Sequence, residues 1–473
     1  MSRLTTRFAS ITLLAGLAAV PLFAEEHADK PLVDPLGGEA AAVTEGPITW
    51  EVTHSALAPR DIDLAICLDT SGSMSGLIES AKQRLWALVN DLAVAEPTPR
   101  LRVALLTYGS PSYGAEDGYV HVQVPLTDDL DMVSMKLFEL GTDGGDEYVA
   151  RVTDSAAKNL AWSKEEAAVK MIVVAGNEAA TQDPQVTLEQ ACGFAIEKGI
   201  VVSSLYCREG GQQAQTRGSN SLAQTVAPAN AAGPTPIAMP LDDIALGWKR
   251  VATLADGAFA MIDQDSGVVI METPLDDKLA ALSTEINGTY IPYGSNAQWA
   301  CSNQAVQDAN AIGLNNEAAA SRALTKGGGL YVCGWDLVDA LEGGTVEPDA
   351  IDRELLGEEH KELTDDELLA LVDTKRAERA KIRAAIAELG EQREAWLVNE
   401  RETLGVDESA SFDSPIRFAL RDLAETRGFV FPAPKLAEVK AEQTAEEAEA
   451  VQAIELPVGG LREVGKNEVL EGC

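Results

Sequence analysis

The sequence predicts an α/β fold, a doubly wound and mostly parallel six-stranded sheet, followed by a helix-rich C-terminal region. Three observations support this prediction. Over residues 49–267, short apolar runs alternate with amphipathic segments, which is typical of a parallel sheet wrapped by helices. The run Met171–Ala175 is apolar throughout, as expected for a central strand that is covered on both faces. Beyond residue 268, Ala-rich and charged helical patterns replace the alternation.

The elements of the α/β region follow one another in a regular order. Residues 61–68 are expected to form the first strand, and residues 76–94 a helix whose apolar face includes Leu77, Leu85 and Leu92. Further strands are expected at 101–108, 121–124, 171–175, 200–206 and 258–262. Further helices are expected at 128–140, 187–198 and 248–255. Residues 141–147 are expected to form a loop, and a helix is expected to follow it as far as residue 161. Residues 210–240 are rich in small and polar residues and are interpreted as a long insertion or mobile loop.

Three segments are expected after the α/β domain. They are a helical, Ala-rich connecting region (268–345), a charged helical region (346–432) and an acidic tail that is either solvated helix or disorder (433–473). A capping box at Thr364 opens a long helix to about residue 400, and a second amphipathic helix covers 415–426. The apolar stripe of the long helix is irregular, which favours packing on the chain's own domains over a long coiled coil. Lys326 and the glycines after it lack the spacing of a phosphate loop and are interpreted as a flexible turn.

The composition limits the possible functions. The chain has 473 residues, with 37 Lys plus Arg against 75 Asp plus Glu. Nucleic acids and anionic membrane surfaces require a basic footprint, so this balance argues against both partners. The acidity fits a well-solvated protein.

The N-terminus predicts export. Arg3 and Arg7 precede a short apolar run, and small residues follow up to Ala24. This is the pattern of a secretory signal peptide over residues 1–24, followed by a flexible lead-in over residues 25–48. We therefore expect an exported bacterial protein in the periplasm, the cell envelope or the medium, with no integral membrane segment after cleavage.

Six cysteines fit an oxidising destination. Position along the predicted elements makes Cys192–Cys207 and Cys301–Cys333 candidate disulfides, although six cysteines allow 15 pairings. Cys473 is the last residue and is expected to be free or intermolecular.

The loop after the first strand carries the strongest chemical signal. Asp69, Ser71 and Ser73 stand where that strand turns into a helix, and the carboxyl ends of parallel strands are where open α/β sheets bind ligands. One carboxylate and two hydroxyls are hard oxygen donors, which suit Mg²⁺, Mn²⁺ or Ca²⁺. The alternative is that both serines only cap the helix and fill the turn.

This arrangement resembles the metal-ion-dependent adhesion site of von Willebrand factor A domains, and the resemblance covers about residues 50–265. It implies that three loops meet on one divalent cation, Mg²⁺ before Mn²⁺ or Ca²⁺. The family presents a Thr after glycines in the second loop and an Asp in the third. Here we place Asp146 in the second position and Asn177 in the third.

Several alternatives remain open at these two loops. Thr142 and Asp143 are rivals of Asp146, and a small shift would let Glu178 replace Asn177. Because one carboxylate is added and another is lost, two negative charges remain around the ion. The alternative is a degenerate site that holds no metal.

The resemblance implies a binding protein rather than an enzyme. A cation with an open coordination position would capture an acidic side chain of a protein partner. Two other functions remain: an envelope hydrolase whose catalytic site lies in residues 271–473, and a structural protein in which the domain only recruits or scaffolds. No recognisable catalytic constellation occurs in that region of the sequence.

Overall fold

The computed structural model describes residues 60–208, 241–263, 270–404 and 414–431, which belong to one compact unit. The predicted signal peptide, the lead-in, the long loop at 210–240 and the acidic tail lie outside the described residues.

A mixed, mostly parallel sheet forms the centre of the molecule, as the sequence predicts. Its six strands lie in the order β3-β2-β1-β4-β5-β6. Only β3 is antiparallel to its neighbour. The strands are β1 (Asp61–Asp69), β2 (Arg100–Tyr108), β3 (Val120–Thr127), β4 (Val169–Gly176), β5 (Val201–Arg208) and β6 (Asp256–Asp263).

Helices alternate with these strands and then continue to the end of the described chain. Five belong to the α/β alternation: α1 (Ser75–Ala93), α2 (Leu130–Glu139), α3 (Val149–Asn159), α4 (Leu188–Glu197) and α5 (Asp243–Leu254). The C-terminal region supplies α6 (Asp276–Glu285), α7 (Ala297–Leu314), α8 (Asn316–Gly327), α9 (Leu337–Glu342), α10 (Glu358–Lys361), α11 (Asp365–Leu404) and α12 (Ser414–Thr426). The predicted capping box is present, because Thr364 and Glu367 exchange hydrogen bonds of 2.9 and 3.3 Å between side chain and backbone N–H.

Each face of the sheet has its own apolar core. Helices α3, α4 and α5 cover one face around Trp248, and α1 and α2 cover the other around Trp86. Helix α12 completes the second layer, because Leu420 and Ala424 are fully buried in it. Burial of a Leu side chain of this kind contributes about 1.5–3 kcal/mol, so a helix near the C-terminal end of the chain is an integral part of the α/β domain.

Helices α7 and α8 pack on the same side of the domain as α1 and α2. Helix α7 contacts α2, α8 contacts α1, and α11 lies across α6 and α8. Lys326, predicted to lie in a flexible turn, is instead fully buried in the last turn of α8. Gly327 explains the close approach there, because a Cβ atom would lie 2.6 Å from Ile386 of α11. Among the described residues, no helix is long and apolar enough to cross a membrane.

Both predicted disulfides are wrong. Cys192 and Cys207 are buried free thiols in the cores on opposite faces of the sheet, so the sheet itself separates them. Cys333 is also a free buried thiol, whereas Cys301 is disulfide-bonded. Position along the chain could not show which face of the sheet each sulfur occupies, because that depends on strand register.

Candidate metal centre

Three loops meet at the carboxyl edge of the sheet. β1 and β4 are neighbours, with Leu68 opposite Ala175, so the loops after them begin side by side. The second loop connects α2 to α3, and its Asp143 N–H donates to the carbonyl of Thr70 at 2.9 Å. A parallel sheet therefore brings together segments that are more than a hundred residues apart in sequence.

The first loop is held by its own hydrogen bonds. The backbone N–H of Ser71 donates to Oδ1 of Asp69 at 2.7 Å, and the side chain of Thr70 donates to the carbonyl of Tyr108 at 2.9 Å. Asp69 is fully buried and Ser71 nearly so. The fold thus holds the Asp69 carboxylate in a fixed orientation through Oδ1.

The third loop reaches the first through Asn177. Its side-chain Nδ2 donates to Oγ of Ser73 at 2.8 Å, and the hydroxyls of Ser71 and Ser73 lie 3.5 Å apart. Four of the five residues that the sequence singles out, Asp69, Ser71, Ser73 and Asn177, are therefore brought together.

The fifth residue, Asp146, lies outside this group. Its carboxylate is exposed and accepts a hydrogen bond of 3.4 Å from the hydroxyl of Tyr148. Its neighbour Glu147 is 7% exposed and lies within hydrogen-bonding reach of the side chains of Asp69 and Ser71. The rivals Thr142 and Asp143 are exposed.

Glu147 is the residue that sequence reasoning missed, and one signal pointed to it. The family pattern places the second-loop ligand just before a helix. Counting from the glycines selects Asp146, whereas counting back from α3, which begins at Val149, favours Glu147. Gly145 fixes the register, because a Cβ atom on it would lie 2.4 Å from the carbonyl oxygen of Gly109.

The two buried carboxyl groups strongly affect each other's charge. Burial, reinforced by the neighbouring Asp69, raises the pKa of Glu147 to about 9. Burial also raises the pKa of Asp69, and the exposed Glu178 adds further negative potential at both groups. Without a compensating cation, the pair therefore retains a proton at neutral pH.

Three buried acceptor oxygens characterise this site. Among the described residues, none donates a hydrogen bond to Oδ2 of Asp69, Oε2 of Glu147 or Oδ1 of Asn177. Unpaired buried polar atoms are rare and costly, and here each of the three loops contributes one. All are hard oxygen acceptors, so the residues fit a hard divalent cation.

The donor set also distinguishes between metals. Across the described ranges, no group of three or more His, Cys, Asp or Glu side chains is placed to hold an ion. What converges instead is two carboxylates with hydroxyl and amide oxygens, which suits Mg²⁺, Mn²⁺ or Ca²⁺ better than a metal that prefers nitrogen and sulfur.

Two glycines allow the backbone to approach this centre closely. A Cβ atom on Gly109, whose φ is +88°, would lie 2.8 Å from Oδ1 of Asp69. A Cβ atom on Gly176 would lie 2.4 Å from the hydroxyl of Tyr108 and 3.1 Å from Oδ2 of Asp69. That hydroxyl donates to the carbonyl of Ala175 at 3.0 Å. Side chains at either glycine would displace the carboxylate.

Comparison with known proteins agrees with this architecture. Residues 63–225 match the von Willebrand factor type A domain family. No curated protein matches the chain. Domains of this family generally mediate protein–protein interactions.

Similar solved structures come from several sources. An aerotolerance-related membrane protein from Bacteroides fragilis NCTC 9343 is 16% identical, with a TM-score of 0.27, over 43% of this chain and 92% of that one. A von Willebrand factor type A protein from Catenulispora acidiphila is 14% identical, with a TM-score of 0.29, over 43% and 39% of the two chains. Proximal thread matrix protein 1 from the mussel byssus, solved with a zinc-occupied adhesion-site motif, is 14% identical, with a TM-score of 0.26, over 32% and 37%.

The family match spans β1 to the segment after β5 and includes all three loops of the centre. Residues 63–225, which include most of the sheet, are therefore similar to the von Willebrand factor type A domain family.

Proposed function

We propose that this domain is a metal-dependent protein-binding module. A divalent cation, Mg²⁺ before Mn²⁺ or Ca²⁺, would be held by Asp69, Ser71, Ser73 and Asn177, with Glu147 in place of Asp146 from the second loop. The observation that carries the proposal is the convergence of three unpaired buried oxygens, one from each loop.

Charge balance supports a divalent ion. Asp69 and Glu147 together carry two negative charges when both are ionised, and one divalent cation neutralises both. The same cation would take the place of the proton that the pair otherwise shares. Binding should therefore release protons and weaken as the pH falls.

The chain's own residues prepare the site for a partner. The Ser71 N–H orients Asp69, and the amide of Asn177 orients Ser73. Because only two carboxylates face the centre, a bound cation would keep enough positive charge to attract an acidic side chain from a partner. The exposed carboxylates of Asp146 and Glu178 lie in the adjoining loops, so we expect the partner's acidic group to be surrounded by basic residues.

The location of the module is part of the same proposal. The signal-peptide pattern of residues 1–24 supports export, so the partner would be met in the envelope or outside the cell. Determining the N-terminal sequence of the protein purified from its native host tests this directly. Cleavage after Ala24 supports export, whereas an intact Met1 contradicts it.

A metal-free structural role is the competing function, and one observation favours it. A protonated Glu147 would satisfy Asp69 without any cation, which the raised pKa of Glu147 permits. The two functions predict different effects of a chelator on partner binding.

Affinity capture from the native envelope, in Mg²⁺ and in EDTA, distinguishes the two functions. We expect a partner that is retained in Mg²⁺, lost in EDTA and absent with Asp69→Asn, while Asp146→Asn retains it. Equal capture by wild type and Asp69→Asn in both buffers would reject the metal-dependent function.

A further inference from the structure

The described loops at the carboxyl edge of the sheet carry negative charge alone. These loops are 70–74, 109–119, 140–148 and 177–187. None of them contains Lys, Arg or His. Their exposed carboxylates, which we call the acidic rim, belong to Glu116, Asp117, Asp143, Asp146 and Glu178. Because like charges repel, a partner that brings an acidic group past this rim must carry basic groups beside it.

The amino edge of the same sheet presents an acidic group on a turn. Residues 165–168 form this turn just before β4, because the N–H of Ala168 donates to the carbonyl of Glu165 at 3.2 Å. Glu165 and Glu166 are both exposed, and Glu166 lies at the tip of the turn. Within the part of the chain that the structure describes, no cation is paired with the Glu166 carboxylate. Glu166 is therefore free to bind a group outside its own molecule.

Cations surround this turn. Lys164 precedes it and is exposed. Arg427, which follows α12, donates to the carbonyl of Glu166 at 3.3 Å. Lys170 also lies close to Arg427, since burial and the positive charges of Arg427 and Lys198 lower the pKa of Lys170. The acidic group at the tip is thus flanked by basic groups, which is the arrangement that the acidic rim requires.

The segment before the turn is fixed to the ends of two strands. The N–H of Ser163 donates to Oδ2 of Asp63 at 2.6 Å, and its hydroxyl donates to Asp61. Arg102 of β2 donates to the carbonyl of Ala161 at 3.1 Å and to both carboxylate oxygens of Asp63 at 2.7 and 2.8 Å. Because this anchoring already orders the segment, little conformational entropy is lost when a partner binds the turn.

We propose that the partner of the metal centre is a second copy of this chain, which presents Glu166 from its amino-edge turn. This inference rests on the proposed metal-dependent function. Lys164, Lys170 and Arg427 of the second copy would then face the acidic rim of the first. Each contact joins opposite edges of two molecules, so the assembly is head to tail, an arrangement that forms rings or open chains.

A molecule cannot fill its own centre in this way. The eight residues of β4, Val169–Gly176, separate the turn from the third loop of the centre. At about 3.3 Å per residue, the two edges of the sheet are about 26 Å apart, which is far beyond the reach of a Glu side chain. Glu166 can therefore fill only the centre of another molecule.

Sedimentation equilibrium of the purified protein over about 1–100 µM, in Mg²⁺ and in EDTA, tests the assembly. In Mg²⁺ we expect the average mass to increase with concentration to at least about twice that of the monomer. In EDTA the protein should stay monomeric. Glu166→Gln keeps the size of the side chain but removes its charge, and should stay monomeric in both buffers. Glu165→Gln is the matched control and should assemble like the wild type. Wild-type assembly of Glu166→Gln in Mg²⁺ would overturn the proposal.

A mixture of two assembly-defective variants tests the direction of the contact. Asp69→Asn retains Glu166 but lacks a working centre, whereas Glu166→Gln retains the centre but lacks the acidic group. Each should be monomeric alone in Mg²⁺, and an equal mixture should form heterodimers that stop at about twice the monomer mass. This recovery would also show that both variants are folded. A mixture that remains monomeric would contradict head-to-tail capture.

Calorimetric titration of Mg²⁺ separates this proposal from the function on which it rests. If the wild type binds Mg²⁺ but remains monomeric up to about 100 µM, the second copy is not the partner, while the metal-dependent function stands. If the wild type binds no Mg²⁺, both fail. Equal assembly in Mg²⁺ and in EDTA would also overturn the proposal, because the contact would not involve the metal.

Discussion

Two buried polar clusters on this domain differ in how their charges are balanced. Between α2, α7 and α8, Asp131 and Asp308 face Arg322 and Lys326 at 2.6 to 2.9 Å, so two negative charges meet two positive ones. At the sheet edge, Asp69 and Glu147 face each other, and the described residues include no cation paired with either. Only the first cluster is balanced by cations of the described residues.

The balanced cluster also shows how a protein stabilises buried charge. Burial alone would raise the pKa of Asp308, but Lys326 and Arg322 hold that pKa below its usual value. Arg322 lies over the Trp86 ring, 4.3 Å from its centroid, and Tyr331 donates to Asp131 at 2.5 Å. This network joins the C-terminal helices to the α/β domain, whereas the sheet-edge cluster joins loops at the carboxyl end of the sheet.

The largest loss of stability is expected from removing one carboxylate of the balanced cluster. Asp308→Ala leaves Arg322 and Lys326 buried beside a single carboxylate, which should lower the free energy of unfolding by about 3–5 kcal/mol. Denaturant unfolding measures this loss. The exposed ion pair Lys136–Glu139 provides the control, since Glu139→Ala should cost less than about 1 kcal/mol. Similar losses for both variants would show that the buried network is not balanced in the way described.

Removing a carboxylate from the sheet-edge cluster should not lower stability. In EDTA, Asp69→Asn removes a buried charge while Oδ1 can still accept from Ser71, so the variant should match or exceed wild-type stability by up to about 1 kcal/mol. Mg²⁺ at ten times its Kd should raise wild-type stability by about 1.4 kcal/mol and leave the variant unchanged. Thermal unfolding with and without Mg²⁺ measures both effects. An equal response of the two proteins to Mg²⁺ would contradict the assignment.

A further change in stability is expected when the pH is varied. The pKa of Glu147 is about 9 in the folded protein against an ordinary 4.5, so the folded state binds this proton more tightly than the unfolded state. In EDTA, stability should therefore fall as pH rises from about 4.5 towards 9. We expect a decline of about 1–2 kcal/mol over this range.

Two comparisons isolate the contribution of Glu147 in such a pH series. Glu147→Gln should lose most of the decline, since the amide does not titrate. Saturating Mg²⁺ should also suppress it in the wild type, because the ion stabilises the ionised pair. A wild-type decline identical to that of Glu147→Gln would assign the effect to other groups.

The sequence predicted the sheet well because buried parallel strands have apolar sequences that can be recognised directly. β1 and β4 appear as apolar runs, and the bounds expected for the first strand differ from those of β1 by one residue. The loop after β1 was predicted equally well, because Asp69, Ser71 and Ser73 belong to one short turn that directly follows the strand.

Features that depend on contacts between distant segments were not predictable in the same way. The amphipathic pattern of 415–426 predicted a helix but could not show that it packs on the central sheet. Arg322 and Lys326 have the pattern of surface residues, and only the tertiary fold reveals the carboxylates that allow their burial. Asp146 and Glu147 are adjacent in sequence, so the register of a glycine loop decides which one points inward.

Calorimetric titration of Mg²⁺ and Mn²⁺ into chelator-treated protein tests the central claim most directly. We predict one site per chain in the wild type, with affinity reduced at least about tenfold in Glu147→Gln and changed by less than about threefold in Asp146→Asn. No binding to the wild type at millimolar concentrations, or equal losses in the two variants, would contradict the account.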